Sequence, residues 1–436
     1  MPHATRWGRA SCGVLLLWLA ACSPGPDAGA IIISGSGLGR EADVLRTQIA
    51  RFSQARGIRV ELQPAPDSAD ERHQLYVQWL NARAATPDVL QIDVIWTPEF
   101  AAAGWLLPLD AFAPRVAEFF PAAIAANSWD GTLFALPWFI DTGMLYWRTD
   151  LLDAAPRSFA DLTSATGAIL GQSDLPYGFV WQGARYEGLM TVFVEILGGF
   201  GASILDERGR VTVDSERAVN ALTFMRDAIH EHRTTPAAVL TWQEEDTRFA
   251  FQNGQAVLMR NWPYAKTLLD DPGSSKVAGR FGVARMPSTP EGRPTAALGG
   301  AQLAVNARSR RPEAAYALVA FLTAPEQMLE RARVVGQFPS RPGLYDRPEL
   351  SEAIGLPAAE VRDILQSARP RPVTPVYTEL SGILQVHVHR ALTRQTEPRA
   401  ALESAAAEIR RLLARSGLDR AESIGLRKPA TAGLYP

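Results

Sequence analysis

The chain has 436 residues, of which 47% are hydrophobic and 21% are charged, and its formal net charge is −2. This composition is typical of a globular protein, and the length predicts about two domains because a single core rarely grows beyond roughly 250–300 residues. Acidic and basic residues are mixed along the chain, without the basic patch that a nucleic-acid surface requires. We therefore predict no nucleic-acid partner.

The N-terminus has the pattern of a bacterial export signal. A basic start leads into a short apolar run over residues 14–21, far below the roughly 20 residues that span a bilayer. Leu19-Ala20-Ala21-Cys22 resembles a lipobox, in which cleavage precedes a cysteine that is then acylated. We predict a signal peptide over 1–21, a tether over 22–30, and an exported protein held to a membrane on its periplasmic or cell-surface side through lipidated Cys22. A plain signal peptide with an incidental cysteine is the alternative.

The first part of the mature chain alternates between strand and helix patterns. Hydrophobic periodicity predicts strands at 30–33, 58–62 and 92–96, with helices at 41–56 and about 71–84 between them. This order is typical of an α/β fold with a parallel sheet. Asp130-Gly131 predicts a hairpin turn, and 136–148 is predicted to continue extended.

The remaining chain mixes helices with short strands. The patterns predict helices at 158–170, 186–199, 215–232 and 243–253, and strands at 177–181, 256–260 and 281–286. Two helices are predicted within 312–335, separated at Ala324-Pro325 because proline is favoured in the first turn of a helix. Three more helices are predicted at 358–367, 378–395 and 399–415, followed by a loosely ordered tail.

Sequence motifs of catalysis and of cofactor binding are missing. The glycines at 35, 37 and 39 follow a strand and open a helix, but the third comes one position too early for a dinucleotide loop. Two histidine pairs are spaced i, i+2 on predicted helices and so point to different faces: His230 with His232, and His387 with His389. We predict no cofactor and no metal site.

Carboxylate and aromatic side chains remain at strand ends and in loops. Asp93 and Asp141 lie in predicted extended segments, Glu244 follows Trp242, and Trp262 follows a predicted strand. Taken singly, a tryptophan is more often core and a carboxylate is often a helix cap. Together they favour sugar recognition, because pyranose rings stack on aromatic faces and their hydroxyls need charged acceptors in a concave site.

Taken in chain order, these residues resemble a known family. The chain is similar to the extracellular solute-binding proteins (family 1) of bacterial ABC sugar importers, in particular the trehalose/maltose-binding branch, over about residues 31–415. The stretches that carry the resemblance are Asp93-Val94-Ile95-Trp96, Gly104-Trp105-Leu106, Leu136-Pro137 through Asp141, Arg260-Asn261-Trp262-Pro263-Tyr264, Leu298-Gly299-Gly300, Phe321 through Glu326, Phe338-Pro339-Ser340-Arg341 and Arg369-Pro370-Arg371-Pro372.

The resemblance implies a two-lobed, periplasmic-binding-protein-like α/β fold of type II, with the ligand in the cleft between the lobes. Lobe 1 would comprise 31–138 plus about 293–343, lobe 2 would comprise 139–292 plus about 344–415, and 416–436 would form the tail. It also implies a monomeric binding component, not an enzyme, that captures a saccharide such as trehalose or maltose and delivers it to the transmembrane subunits of an ABC permease.

By position, the resemblance places eight residues around the sugar: Glu41, Arg72, Asp93, Asp141, Glu244, Trp262, Gly300 and Arg369, with Arg371 as the alternative to Arg369. The three carboxylates at 93, 141 and 244 would accept hydroxyls, the arginines would donate, and Trp262 would be the stacking platform. Two departures concern the sugar's identity. Ala301-Gln302 stands where relatives have an aromatic residue, and Phe139 stands where a tyrosine is common.

Two other functions stay open from the sequence. A secreted glycoside hydrolase would use one carboxyl as the acid and another as nucleophile or base. Asp93 and Asp141 fall in different predicted segments, which gives no reason for a catalytic distance between them. The other alternative is a lipoprotein adaptor that binds protein.

Overall fold

The computed structural model describes residues 29–36, 39–66 and 68–419. The predicted signal peptide, lipidated Cys22, most of the tether and most of the tail lie outside these residues. Within the described ranges, no helix combines the length and the apolar character needed to cross a membrane.

The described residues form alternating strands and helices. The strands are β1 Ile31–Ser36, β2 Val60–Ala65, β3 Val89–Asp93, β4 Ser128–Trp129, β5 Thr132–Leu133, β6 Ala135–Pro137, β7 Phe139–Thr142, β8 Met144–Arg148, β9 Tyr177–Val180, β10 Ala256–Asn261, β11 Phe281–Ala284, β12 Ala296–Gly299, β13 Ala301–Val305, β14 Phe338–Pro339 and β15 Ala368–Arg369. The helices are α1 Gly39–Arg56, α2 Ala69–Asn81, α3 Thr97–Ala102, α4 Pro121–Ala126, α5 Phe159–Gln172, α6 Glu187–Gly199, α7 Glu216–His230, α8 Glu244–Gln252, α9 Tyr264–Leu269, α10 Pro312–Leu322, α11 Pro325–Val335, α12 Pro348–Ile354, α13 Ala358–Gln366, α14 Tyr377–Leu392 and α15 Pro398–Arg415.

The first lobe is built on a five-stranded sheet in the order β2-β1-β3-β13-β6. β1 is parallel to β2 and β3, whereas β13 runs antiparallel to β3 and β6. Alternate side chains of β3 enter different cores, since Val89 packs in the large core whereas Leu90 and Ile92 pack with Tyr76 and Phe100. Helices therefore cover both faces of the sheet, as a mostly parallel sheet requires.

The second lobe is built on the sheet β11-β8-β10-β9. Leu145 of β8 packs in a core formed mainly by α5, α6, α7, α14 and α15, while its neighbour Tyr146 points to the opposite side. The extended contact between α14 and α15 closes this helical layer. This core is large and apolar, and it is formed by the sheet and the helices that pack on it, so the second lobe has a hydrophobic core of its own.

A third sheet, β14-β7-β12-β15, lies where the chain passes between the lobes. The chain leaves the first sheet after β6, passes through β7 and enters the second sheet at β8. It returns through β12 to β13, and a third passage runs from α11 through α12 and α13 to β15 and α14. Because β7 and β12 pair antiparallel, the two short crossings are fixed against each other.

The predicted boundary between the lobes near residue 343 runs through this third passage. α12, which follows that boundary, has α11 of the first lobe as its main helical neighbour. Leu350 and Ile354 of α12 also belong to the large core that contains β1. The domain boundaries stay predictions.

Most predicted elements are confirmed within a few residues, and the predicted hairpin turn has positive φ at both Asp130 and Gly131. The predicted strand at 92–96 is wrong in its extent. β3 ends at Asp93, because Asp93 Oδ1 accepts the N–H of Ile95 at 3.1 Å and its carbonyl accepts that of Trp96 at 3.0 Å. These bonds turn the chain into α3. The short helix α12 is not predicted by the sequence pattern.

Candidate ligand-binding site

The predicted acceptors Asp93 and Asp141 meet at the junction of β12 and β13. Asp141 is the register partner of Gly299 at the end of β12, and Asp93 is the partner of Ala301 at the start of β13. Gly300 joins the two strands with φ +109°, and a Cβ there would lie 2.2 Å from the Phe139 carbonyl oxygen. Glycine is therefore required by the close approach of β7, and its role in this structure is to bring the two carboxylates together.

Trp262 lies beside Asp141 at the same junction. A Cβ on Gly299 would be 3.3 Å from Trp262 Cζ3 and 3.4 Å from Asp141 Cβ, so β12 passes closely along both side chains. Trp262 Nε1 donates to Glu244 Oε1 at 3.4 Å, and Tyr186 donates to the other oxygen of Glu244 at 2.7 Å. The indole is half-buried, which leaves part of it able to contact a ligand.

A buried ion pair supports the Trp262 ring. The guanidinium carbon of Arg260 lies 3.8 Å from the ring centroid, in a cation–π contact. Arg260 Nε and Nη2 donate to the two carboxylate oxygens of Glu195 at 2.8 and 2.5 Å, and Nη1 donates to Gln182 at 3.1 Å. The backbone N–H of Ala297 in β12 also donates to Glu195 Oε1 at 3.1 Å. The Trp262 ring is thus connected to β12 through Arg260 and Glu195.

Asp141 has an unusual electrostatic environment. Its Oδ1 atom is buried and makes no hydrogen bond. The pKa of Asp141 is raised to about 8, chiefly by burial and also by the negative charges of Glu41 and Asp93, while the positive charges of Arg260 and Arg331 oppose the rise. A buried carboxyl oxygen without a partner is suited to accept a hydrogen bond from a hydroxyl donor.

The raised pKa predicts that wild type and Asp141→Asn differ in the pH dependence of stability. The folded carboxyl has a pKa of about 8, against an ordinary value of 3.8, so folding favours its protonated form. The stability due to this proton is complete below about pH 4 and declines as the pH rises to about 8. Asparagine does not titrate, so the variant should gain stability over wild type across this window, by up to about 1.4 kcal/mol per pH unit.

Urea unfolding of the two ligand-free proteins at a series of pH values measures this difference. All other titrating groups are common to both proteins, so their contributions cancel to a first approximation. A stability difference that does not change between about pH 5 and pH 8 would contradict the prediction.

Asp93 is held in a charge network that spans both lobes. Its Oδ1 accepts from Arg371 Nη2 at 3.1 Å, and Arg371 Nη1 donates to Glu187 at 2.6 Å. The hydroxyl of Tyr377 donates to the same Glu187 oxygen at 2.7 Å. Burial raises the pKa of Glu187, whereas the positive charge of Arg371 acts against this rise. Asp93 therefore links the first lobe to α6 and α14 of the second.

The two candidate arginines near residue 370 differ in their surroundings. Arg369 Nη1 donates to the carbonyls of Gln366 and Ala368, both at 2.8 Å, and burial together with the charge of Arg293 lowers its pKa. The structure brings Arg371, and not Arg369, to Asp93. The ligand-binding role of Arg369 stays a prediction.

The two remaining predicted residues lie on the first lobe. Arg72 Nη1 donates to the Pro66 carbonyl at 2.9 Å, and its guanidinium carbon is 5.6 Å from the Trp96 ring centroid. Glu41, in the first turn of α1, accepts from the amide of Gln337 at 3.0 Å. Glu41 is close enough to raise the pKa of Asp141, which places it near the acceptor pair.

Several polar residues near the site are missing from the sequence prediction: Asp70, Glu187, Glu195, Arg260, Arg331 and Gln337. Burial and the charges of Asp93 and Glu244 raise the pKa of Asp70 in α2, whereas the nearby backbone of Glu187 in α6 lowers it. These residues lack a local signal because their partners are distant in sequence. A charged residue inside an apolar segment, as with Glu195 in α6, is the one hint that could have found them.

The arrangement fits a neutral, hydroxyl-rich ligand. Four carboxylates, at residues 41, 93, 141 and 244, lie around the junction, and two of the nearby arginines already pair with Glu195 and with Asp93. Among the described residues, no three histidine, cysteine, aspartate or glutamate side chains are grouped to hold a metal ion. A sugar can bind to such a site, because its hydroxyls donate to the carboxylate acceptors while its apolar face packs on the aromatic ring.

Comparisons with known proteins show the family to which the chain belongs. The family model described as bacterial extracellular solute-binding protein matches residues 39–329, more than half of the chain. A probable ABC transporter-binding protein of Deinococcus radiodurans is 34% identical over 391 residues, which cover 87% of this chain and 92% of the relative.

Solved structures show the same fold. Maltose-bound MalE3 of T. maritima is 44% identical, with a TM-score of 0.84, and the match covers 88% of this chain and 100% of that one. The GacH receptor of Streptomyces glaucescens, solved unliganded and with acarbose, has a TM-score of 0.79 at 24% identity, covering 89% and 99% of the two chains, and supports the fold alone. The predicted two-lobed, periplasmic-binding-protein-like fold is confirmed. The chain belongs to the bacterial extracellular solute-binding proteins of ABC transporters and is a binding protein, not an enzyme.

Proposed function

We propose that this protein captures a saccharide, an α-linked disaccharide such as maltose or trehalose, and delivers it as a monomer to the transmembrane subunits of an ABC permease. The observation that carries the proposal is the half-buried Trp262 ring lying beside Asp141, whose buried Oδ1 has no hydrogen-bond partner. A pyranose can place its apolar face on the indole and direct a hydroxyl to this oxygen.

Two further observations support a neutral sugar as the ligand. The relative that is 44% identical over 88% of this chain has maltose bound. Several carboxylates lie near the junction, whereas the nearby Arg260 and Arg371 are already paired with Glu195 and Asp93. This excess of negative charge disfavours an anionic ligand. A hydrophobic ligand would leave the buried acceptor of Asp141 unsatisfied.

Binding and turnover are tested together on the purified mature protein. Titration calorimetry with maltose, trehalose and the β-linked control cellobiose gives affinity, and thermal melting with each sugar gives an independent measure. A sugar at 100 times its dissociation constant should stabilise the fold by about 2.7 kcal/mol. Recovery of intact disaccharide is expected. Failure of both α-linked sugars to bind would contradict the proposed ligand class.

We further propose that lipid on Cys22 anchors the protein to a membrane, and this predicts the behaviour of Cys22→Ser. Serine offers no thiol for acylation, so the variant should lose the lipid mass and appear as uncleaved precursor or as released protein. Acyl labelling, fractionation and mass spectrometry of both proteins measure this. An unmodified Cys22 in mature wild type would refute the anchor.

A further inference from the structure

Arg331 of α11 is a buried cation that no part of the sequence prediction used. Its exposed fraction is 2%. The guanidinium carbon lies 3.9 Å from the Trp138 ring centroid and 5.6 Å from that of Phe139. Nε donates to Gln337 Oε1 at 2.7 Å, whereas Nη1 is buried and makes no hydrogen bond. One edge of the guanidinium is therefore fixed while a donor on another nitrogen stays unused.

The structure places Arg331 beside the candidate site. Phe139 and Asp141 are two residues apart in β7, so their side chains lie on the same face of that strand. The amide of Gln337, which holds Arg331, also donates to Glu41 at 3.0 Å. Burial lowers the pKa of Arg331 to about 10, and the charges of Glu41 and Asp141 oppose that shift. Arg331 thus belongs to the same electrostatic cluster as two predicted ligand residues.

Arg331 and Asp141 belong to the same cluster, yet two of their polar atoms make no hydrogen bond, either to each other or to any other group. Nη1 of the arginine and Oδ1 of the aspartate are both buried and both without a partner. Leaving such atoms unsatisfied costs folding free energy, so proteins rarely keep them without a reason. Stacking on Trp138 explains why the guanidinium is buried, but it does not explain the unused donor. A ligand that supplies one acceptor and one donor would satisfy both atoms.

We propose that Arg331 is a specificity-determining residue of the ligand site, in which Nη1 donates to one sugar hydroxyl while Asp141 Oδ1 accepts from a neighbouring one. Adjacent hydroxyls on one pyranose ring present this combination, since each hydroxyl both donates and accepts. The site would thereby select a saccharide with a free vicinal diol. This inference rests on the proposed saccharide function and names the part of the sugar that is read.

Titration calorimetry with maltose and its monodeoxy derivatives tests the inference. We compare wild type, Arg331→Met, and Arg333→Met as a matched control, since Arg333 is exposed two residues further along α11. Loss of one charge-assisted hydrogen bond should weaken maltose binding by Arg331→Met about 10- to 100-fold. The derivative that lacks the hydroxyl contacted by Arg331 should bind wild type with a similar loss of affinity. Arg331→Met should bind that derivative and maltose with the same affinity. Arg333→Met should behave as wild type.

The outcomes separate this inference from the proposed function. If wild type binds neither maltose nor trehalose, the saccharide function fails and this inference fails with it. If wild type binds maltose and Arg331→Met binds equally well, or keeps the wild-type pattern of losses across the deoxy series, Arg331 does not contact the sugar. Arg331→Lys retains the charge but not the planar fork, and it replaces the methionine variant if thermal melting shows that the latter is unfolded.

Discussion

The Glu195→Gln variant should lose about 3–5 kcal/mol of unfolding free energy, because it leaves the Arg260 guanidinium buried without a counter-charge. Both side chains of this pair have 0% exposure. Glutamine keeps the shape of glutamate, so the loss reports the charge rather than a cavity. The carboxylate also accepts the N–H of Ala297, and the amide replaces this strong acceptor by a weaker one. Urea unfolding of the ligand-free proteins measures the difference.

A matched control is Glu231→Gln, which removes the charge from an exposed pair with Arg394 whose side chains are 55% and 53% exposed. Exposed pairs contribute about 0–1 kcal/mol, so this variant should unfold close to wild type. The double variant Glu195→Met/Arg260→Met should recover much of the lost stability, since an apolar pair leaves no buried charge. Equal losses of unfolding free energy in Glu195→Gln and Glu231→Gln would show that the buried pair contributes no more to stability than the exposed one.

The regular elements of this fold could be predicted because their signals are local. The helical spacing of Val44, Leu45, Ile49 and Phe52 predicts the buried face of α1, and the structure buries all four. The Asp130-Gly131 turn likewise follows from the φ values that each residue tolerates. β3 shows the limit of this reasoning, because the carboxylate of Asp93 ends a strand that hydrophobicity alone would continue.

The site could be predicted only in part, because its geometry depends on contacts between distant residues. Asp141 and Trp262 stand in recognisable stretches of sequence, but the support of the ring comes from Glu195, 65 residues before Arg260. The link from Glu41 to Gln337 spans 296 residues. No local pattern encodes such pairs. The sequence therefore indicates which residue types form the site, whereas the pairing of charges requires the folded chain.

The choice between Arg369 and Arg371 shows the same limit at short range. Both stand next to a proline in a single stretch of four residues, so composition does not separate them. β15 pairs with β12 at Ala368 and Arg369, and Arg371 lies beyond this pairing, where it reaches Asp93 and Glu187. Strand pairing in the crossing sheet decides which arginine is buried.

Replacing Trp262 by alanine should weaken saccharide binding by about 1–3 kcal/mol, which is typical of an aromatic contact residue in a desolvated site. The ring is half-buried, lies beside Asp141 and stacks on the fixed guanidinium of Arg260. Trp262→Phe should fall between wild type and alanine, since it retains part of the aromatic face but loses the N–H bonded to Glu244. Titration calorimetry with the disaccharide that wild type binds measures all three affinities.

Thermal melting without sugar separates a platform from a core residue, and Trp147→Ala is the matched control. Trp147 is also half-buried, but it pairs with Leu258 in the middle of β10, away from the strand end that carries Trp262. A platform role requires Trp262→Ala to lose affinity with a modest change in melting temperature, whereas Trp147→Ala should lose stability and keep its affinity for sugar. The reverse pattern, in which Trp262→Ala melts many degrees lower but its folded fraction binds normally, would place Trp262 in the core and remove it from the site.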